Sequence, residues 1–251
     1  MTTVLAIDTS GAACTAAIWE PRDDDPCGIV LASIRQPMAR GHAESLLPAI
    51  RTLLDRTARR PDSIGLIGVI EGPGAFTGLR IGLAAAAGFS LATGAGVVGV
   101  NAFDALAHAA MPGLAFAPPP IGATRGSLAV AIESRRLEMY LRLYPIECGL
   151  DAWSLGSGGE MICAPPAGLE MTDREKSPGG LIVIGDGARR FCDLHPAVSP
   201  DARRPPYAID GGVVARLAWE ARSRSSSDIP TPLYLRPPDA VAAPPGRGIE
   251  Q

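Results

Sequence analysis

Two short stretches, each following an apolar run, contain the residues best placed to bind a phosphate group. The first is an Asp-Thr-Ser turn, and the second is the glycine-rich turn GPGAFTG, which precedes a predicted helix. A glycine-rich turn at a helix N-terminus presents backbone N–H groups at the positive end of the helix dipole, which suits an anion. The spacing fits neither a P-loop nor the GxGxxG fingerprint. The candidate nucleotide or phosphate residues are Asp8, Thr9, Ser10, Gly72, Gly74 and Thr77.

Each stretch also has a structural interpretation. Asp8 can cap its own turn through its carboxylate, and Thr77 can serve as the N-cap of the following helix. The glycines can simply permit a sharp turn and close packing. The residues alone favour this second interpretation over a phosphate site but leave both open.

The residue types that support metal or nucleophilic catalysis are sparse. The three histidines, His42, His108 and His195, are far apart in the chain. The sequence contains neither the HExxH pattern of zinc enzymes nor the GxSxG pattern of serine hydrolases. The five cysteines form no CxxC pair. We therefore predict no catalytic residue, no metal ligand set and no cofactor bound by this chain alone.

Composition narrows the class of protein. Of the 251 residues, 47% are hydrophobic and the formal net charge is −3, so no basic surplus supports tight nucleic-acid binding. The odd cysteine count and the absence of a signal-peptide pattern at the N-terminus predict a cytoplasmic protein. Residues 81–103 are uncharged and long enough to cross a bilayer, but a TGAG stretch interrupts them, so we predict no membrane span.

The first hundred residues predict an α/β fold with a mixed sheet. Three neighbouring strands with short connections are followed by alternating helices and strands, which is the order of a ribonuclease-H-like half of the actin-like ATPases. The predicted strands are residues 4–8, 14–19, 29–34, 66–70 and 97–100. The predicted helices are residues 45–57, 77–92 and 102–110.

The remainder predicts a second, less regular subdomain. Its predicted elements are a hairpin over 128–133 and 138–144, a strand over 181–184, a helix from residue 188 and a helix over 213–222. The Pro-rich residues 112–120 and the Gly/Pro-rich residues 149–180 predict few regular elements. The predicted organisation is an N-terminal subdomain at 1–101, a second, degenerate subdomain at 102–236 and a disordered tail at 237–251.

Two of the predicted helices have unusual surfaces. In residues 45–57, leucine and isoleucine recur along one helical stripe. In residues 77–92, small residues recur near one face, although each interior glycine costs about 1 kcal/mol relative to alanine. Close approach of another backbone would offset that cost, and this backbone can belong to the same chain or to a partner. The residues concerned are Leu46, Leu47, Ile50 and Leu54 in the first helix and Gly78, Gly82, Ala85, Ala86 and Phe89 in the second.

Several motifs together resemble the TsaB (YeaZ) family, the smaller actin-like subunit of the bacterial machinery that makes threonylcarbamoyladenosine in tRNA. The matching segments follow the family's order over nearly the whole chain, and the GPGAFTGLRIGL block is the most specific. They are LAIDTS at 5–10, HAESLLP at 42–48, GPGAFTGLRIGL at 72–83, VGVN at 98–101, GDGA at 185–188 and PLYLR at 232–236. Ala75 departs from the family pattern, which usually has serine there, and so does Leu137, where glycine is common.

The resemblance implies two ribonuclease-H-like, actin-like subdomains and no independent catalysis. It implies that helices matching residues 46–54 and 77–92 bind the larger relative, TsaD, which contains a metal-holding histidine pair that this chain lacks. Self-association through the same surface, a TsaE-like ATPase as third subunit and tRNA as the substrate of the assembly are also implied. ATP and the metal ion then belong to the assembled complex. The implied partner-binding residues are His42 and the nine helix residues given above.

Two other functions fit parts of the pattern. The first is a metal-dependent, glycoprotease-like peptidase, which requires tightly bound zinc or iron. The second is a stand-alone nucleotide-binding switch that uses Asp8 and the GPGAFTG turn.

If the small face of the second helix meets a partner, a charge placed on that face should break the complex. We expect Gly82→Glu and Ala86→Arg to abolish co-purification with a TsaD-like subunit while the chain stays folded. Normal binding by both variants would contradict this assignment.

Overall fold

The computed structural model describes residues 2–114, 125–134, 136–148, 153–165, 180–195, 198, 203, 208–224 and 228–236. Within these residues the chain forms two mixed five-stranded sheets with helices between and around them. The predicted tail at 237–251 lies outside the described residues, as do most of 112–120 and more than half of 149–180.

The first sheet is built from the first 101 residues. Its strands are β1 (Thr3–Asp8), β2 (Ala13–Glu20), β3 (Ile29–Pro37), β4 (Ile64–Gly72) and β5 (Gly96–Asn101), in the order β3-β2-β1-β4-β5. β1, β2 and β3 are antiparallel neighbours, whereas β1, β4 and β5 run parallel. β1 and β2 are buried along their whole length because helices cover both faces of the sheet. The five predicted strands are confirmed.

Helices α1 (His42–Thr57) and α2 (Phe76–Thr93) cover one face of this sheet. Their buried side chains share one apolar cluster with Leu5, Ile7 and Val69 of the strands. α1 begins three residues earlier than predicted, and Pro48 lies inside the helix. A short 3-10 turn, Pro61–Ser63, follows α1 and leads into β4.

The opposite face of the first sheet is covered by α3 (Ala102–Leu114) and by α5 (Gly211–Ala221) near the C-terminus. Phe103 of α3 and Val214 of α5 share a core with Trp19 of β2 and with side chains of the second sheet. α5 was predicted within the second subdomain, but it packs on β1, β2 and β4. The boundary at residue 101 therefore separates the two sheets but not the helices that cover them.

The second sheet follows the predicted hairpin. Its strands are β6 (Arg125–Glu133), β7 (Met139–Cys148), β8 (Trp153–Leu155), β9 (Ile162–Ala164) and β10 (Leu181–Ile184), with the order β10-β6-β7-β8 and with β9 also paired to β7. β6 and β7 form the predicted antiparallel hairpin, and β10 runs parallel to β6. Helix α4 (Ala188–Leu194) covers the face turned away from the first sheet through Phe191.

The C-terminal end of α1 contains a residue whose backbone conformation suits glycine better. Ala58 is the C-cap of the helix and lies in the left-handed region, with φ 50°. Its N–H donates to the carbonyl oxygens of Leu54 and Asp55 in the last turn. A non-glycine residue there costs about 1–2 kcal/mol. We expect Ala58→Gly to raise the free energy of unfolding by about 1 kcal/mol, measured by urea denaturation.

The matched control is Ala84→Gly, at an exposed position inside α2. There the same substitution should lower stability by about 1 kcal/mol. A loss of stability in Ala58→Gly as large as that in the control would contradict the argument from backbone conformation.

Candidate functional site

The glycine-rich turn packs directly onto the turn of the first hairpin. Thr9 Oγ1 donates to the Gly78 carbonyl oxygen at 2.7 Å, and the Ala75 N–H donates to the Ser10 carbonyl oxygen at 2.7 Å. A Cβ on Gly74 would lie 2.7 Å from atoms of Ser10, and one on Gly78 would overlap the Thr9 carbonyl oxygen. The glycines are therefore required for close packing within the chain, as in the structural interpretation of this turn.

The six candidate phosphate residues do not surround one space. Asp8 belongs to the sheet face covered by α3, whereas Thr9 contacts α2 on the opposite face. Gly72 has φ +137°, and a Cβ there would lie 2.5 Å from the Leu233 carbonyl oxygen. Thr77 is exposed and is not the N-cap: that position is Ala75, which has no side-chain oxygen to cap the helix. The prediction that Thr77 caps α2 is wrong.

Asp8 caps its own turn, as the structural interpretation of this residue predicted. Its Oδ1 accepts the Ser10 N–H at 2.8 Å and the Ser10 hydroxyl at 2.6 Å. Burial raises the pKa of the Asp8 carboxyl above its ordinary value, and the two bonds from Ser10 oppose that rise. This carboxylate lines a cavity of about 100 Å³ between the two sheets.

The small face of α2 is turned toward the chain's own first sheet. A Cβ on Gly82 would lie 2.7 Å from Thr9 Oγ1 and close to Ile7 and Val69, and Ala86 is fully buried. The prediction that Gly78, Gly82 and Ala86 meet a partner is therefore wrong, because β1, β4 and the first hairpin already cover them. Gly82→Glu and Ala86→Arg would disrupt this core and cannot report on docking.

Most of the predicted α1 residues are also inside the molecule. Leu46, Ile50 and Leu54 are buried in the cluster beneath the helix, because that stripe is what holds α1 on the sheet. His42 is the first residue of α1, and its Nε2 lies 3.2 Å from the Gly11 carbonyl oxygen. Of the predicted partner-binding residues, Leu47 is exposed, while Ala85 and Phe89 are half-buried.

The outward surface of the two helices is formed by Leu47 together with residues that were not predicted. Leu91 is 91% exposed and Leu47 is 59% exposed. A Cβ on Gly88 would meet no atom within 4 Å, so nothing described in this chain requires glycine there. Helical periodicity puts Gly88 off the Gly78–Gly82 stripe. We call this surface the outer face, and it consists of Leu47, Ala84, Gly88 and Leu91.

Sequence reasoning missed Ala84, Gly88 and Leu91. α2 has small or apolar residues on nearly every side, so periodicity could not show which side the sheet covers. The available signal was that an interior glycine lay outside the stripe shared by the other two.

One cation is held in place at the N-terminal end of α2. Arg80 is the only charged residue of this helix. Its guanidinium carbon lies 3.8 Å from the centre of the Phe76 ring, and its Nε donates to the Tyr234 hydroxyl at 2.9 Å. The two rings stack with their centres 4.9 Å apart. This arrangement orders an exposed guanidinium beside an apolar helix surface.

Among the described residues, α2 has the length and apolar composition of a membrane-spanning helix. Five of its residues, Gly78, Leu79, Gly82, Leu83 and Ala86, are nevertheless buried in the protein. No group of three His, Cys, Asp or Glu side chains within the described ranges is arranged to hold a metal ion.

Comparison with known proteins identifies the family. The family described as TsaD: tRNA N6-adenosine threonylcarbamoyltransferase matches residues 32–133. The tRNA threonylcarbamoyladenosine biosynthesis protein TsaB of Escherichia coli is 31% identical over 192 residues, which are 76% of this chain and 74% of that protein. The chain belongs to the TsaB family. An uncharacterized protein of Mycobacterium tuberculosis is also 31% identical to this TsaB-family chain, over 96% of the chain and 94% of the relative.

Solved structures confirm the predicted fold class. A crystal structure described as an uncharacterized protein with similarity to peptidase YEAZ, from Pseudomonas aeruginosa, has a TM-score of 0.73 and 27% identity, covering 94% of this chain and all of that one. YeaZ from Pseudomonas aeruginosa has a TM-score of 0.70 with the same coverage. The TsaB-family chain therefore has the predicted α/β fold with two actin-like subdomains and mixed sheets, and its resemblance to TsaB (YeaZ) is confirmed.

The buried Asp8 carboxylate should reduce stability at neutral pH. Because its pKa is raised in the folded state, the folded chain binds this proton more tightly than the unfolded chain. The free energy of unfolding therefore falls as pH rises through the raised pKa. We expect Asp8→Asn, whose amide oxygen can still accept from Ser10, to be more stable than wild type at pH 7. The gain should shrink as pH approaches the unfolded pKa of about 3.9.

Asp62→Asn is the matched control, because the pKa of this exposed carboxyl is lowered by its hydrogen bond to Arg60. It should give no gain at pH 7. Urea denaturation of the three proteins between acidic and neutral pH tests the prediction. A gain in Asp8→Asn that does not change with pH would contradict a role for the carboxylate charge.

Proposed function

We propose that this TsaB-family chain is a non-catalytic subunit of the assembly that makes threonylcarbamoyladenosine in tRNA, and that its outer face binds a TsaD-like subunit. Relatives named as tRNA threonylcarbamoyladenosine biosynthesis proteins support the role in this pathway. The observation that carries the docking proposal is the outer face, where Leu91 and Gly88 have no function within the chain that the structure describes.

The energetics of the outer face favour a protein partner. Burying a leucine side chain such as Leu91 contributes about 1.5–3 kcal/mol. The interior glycine at Gly88 costs about 1 kcal/mol relative to alanine, and no contact with the described residues offsets that cost. A backbone that approaches α2 closely at Gly88 would offset it, since a Cβ would keep the two helices apart. Ala84 extends the same low surface by one turn.

Arg80 places a positive charge at one end of the outer face. Its guanidinium is already ordered by Phe76 and Tyr234, so a carboxylate of the partner would pair with it at a small entropic cost. A fixed cation beside an apolar strip would set the orientation of the docked helix.

The remaining parts of the proposal concern cofactors and further partners. The cavity beside Asp8 measures about 100 Å³, below the roughly 300–1,000 Å³ of typical small-molecule sites. A larger space of about 500 Å³ adjoins Thr9, Thr77 and Gly78 but is not lined by Asp8. This separation supports the view that ATP and the metal ion belong to the assembled complex. A TsaE-like ATPase and the tRNA substrate complete that assembly in the cytoplasm. In the chain alone, the outer face of one copy would pair with that of another, so self-association would compete with the TsaD-like subunit.

Neither rival function is favoured by a specific observation. A peptidase would require a metal-binding cluster, and the described residues contain none. A nucleotide switch would require Asp8 and the GPGAFTG turn to hold one nucleotide. Pro73 and Ala75 of that turn do line the cavity beside Asp8, but its volume of about 100 Å³ is small for a nucleotide.

Charge on the outer face should prevent docking without unfolding the chain. We expect Gly88→Glu and Leu91→Asp to abolish co-purification with a TsaD-like subunit, while their melting temperatures stay within a few degrees of wild type. Leu194→Asp is the matched control, because Leu194 is an exposed leucine of α4 far from the outer face, at 48% exposure. It should bind normally.

Gly88→Ala separates docking from stability. It should raise the free energy of unfolding of the isolated chain by about 1 kcal/mol and at the same time weaken binding, because its Cβ would enter the contact. If Gly88→Ala and Leu91→Asp both bind like wild type, the outer face is not the docking surface.

A further inference from the structure

The cavity between the sheets has a row of three polar side chains along one wall. In the strand register, Asp8 of β1 lies opposite Thr15 of β2, and Thr15 lies opposite Arg35 of β3. Side chains paired in this way share one face of a sheet, and all three line the cavity. An acceptor, a hydroxyl and a cation therefore follow one another across three adjacent strands, which lie about 4.8 Å apart.

The middle member of the row has no partner. Thr15 is 1% exposed, and its Oγ1 is the buried side-chain oxygen or nitrogen that lacks a hydrogen bond among the described residues. A buried hydroxyl without a partner is costly, and native proteins rarely keep one. Because Thr15 lines the cavity, a ligand in that space is a candidate partner for this hydroxyl.

The two ends of the row carry opposite charges. Oδ1 of Asp8 accepts hydrogen bonds from the N–H and the hydroxyl of Ser10. The positive charge of Arg35 also interacts with the Asp8 carboxylate. Within the described part of the chain, no hydrogen bond or ion pair fixes the Arg35 guanidinium. The carboxylates on the opposite wall are already bonded: Glu133 pairs with Arg190 at 2.8 Å, and Asp186 accepts the Glu133 N–H at 2.9 Å.

We propose that this cavity binds a small free α-amino acid, with its ammonium group on Asp8, its carboxylate on Arg35 and a hydrogen bond to the Thr15 hydroxyl. A zwitterion matches the order of charges along the row, and both ends form charge-assisted hydrogen bonds. The proposal is independent of docking on the outer face, which lies beyond the sheet on the α1–α2 side.

The size of the cavity restricts the ligand. A cavity of about 150 Å³ accommodates the six carbon atoms of benzene, so about 100 Å³ suits glycine or alanine better than an aromatic amino acid. Leu106 and Ile132 form apolar walls beside the buried Asp8, which strengthens the ion pair at that end, whereas Arg35 lies at the exposed end of the row.

Titration calorimetry on the isolated chain tests this site with glycine and L-alanine as probes. We expect saturable binding with a dissociation constant of about 1 mM or lower, within reach of a ligand of five or six heavy atoms. Ethylammonium and acetate, which each carry one of the two charges, should bind at least tenfold more weakly. L-tryptophan should not bind.

Three variants assign the contacts. Thr15→Val keeps the side-chain shape and removes the unpartnered hydroxyl, so the free protein should melt at the same or a higher temperature while losing at least tenfold in affinity. Arg35→Gln should lose amino-acid binding as well, and the control Arg56→Gln, on the exposed side of α1, should keep it. Absence of saturable glycine and alanine binding, equal binding of acetate, or unchanged affinity in Thr15→Val would each overturn the proposal.

Discussion

The contact between Thr9 and Gly78 is the constraint on which the rest of the structure depends. The hydrogen bond from the Thr9 hydroxyl to the Gly78 carbonyl oxygen is possible because neither Gly78 nor Gly82 has a Cβ in the way. It holds α2 against the first hairpin with its smallest side chains inward. The rotation of α2 about its own axis is thereby set, and Gly88 and Leu91 must face outward.

The same hairpin also determines which side chains face the second sheet. Because side chains alternate along a strand, placing Thr9 against α2 requires Asp8 to face the second sheet. The cavity row of Asp8, Thr15 and Arg35 follows from that alternation and from the register of three strands. One turn of the chain thus orients both a surface available to a partner protein and a polar wall inside the molecule, on opposite faces of one sheet.

The sequence predicted where most strands and helices lie, but not which side of each helix is buried. Periodicity located all five strands of the first sheet and the helices α1 and α2 to within a few residues, because continuous apolar runs and a leucine stripe have distinct repeats. It could not orient α2, whose small and apolar residues surround the helix, and so it assigned Gly82 and Ala86 to a partner when the sheet covers them. Ala75 at the N-cap and the return of α5 to the first sheet depend on contacts between distant segments, which a local pattern does not contain.

Site-specific cross-linking tests most directly whether the outer face contacts a TsaD-like subunit. A photoreactive amino acid would replace Leu91 in α2 or, separately, Leu194 in α4, and each protein would be irradiated with a TsaD-like subunit. If the outer face binds that subunit, position 91 gives a covalent adduct with it and position 194 gives none. An adduct from position 194 with none from position 91 would contradict it.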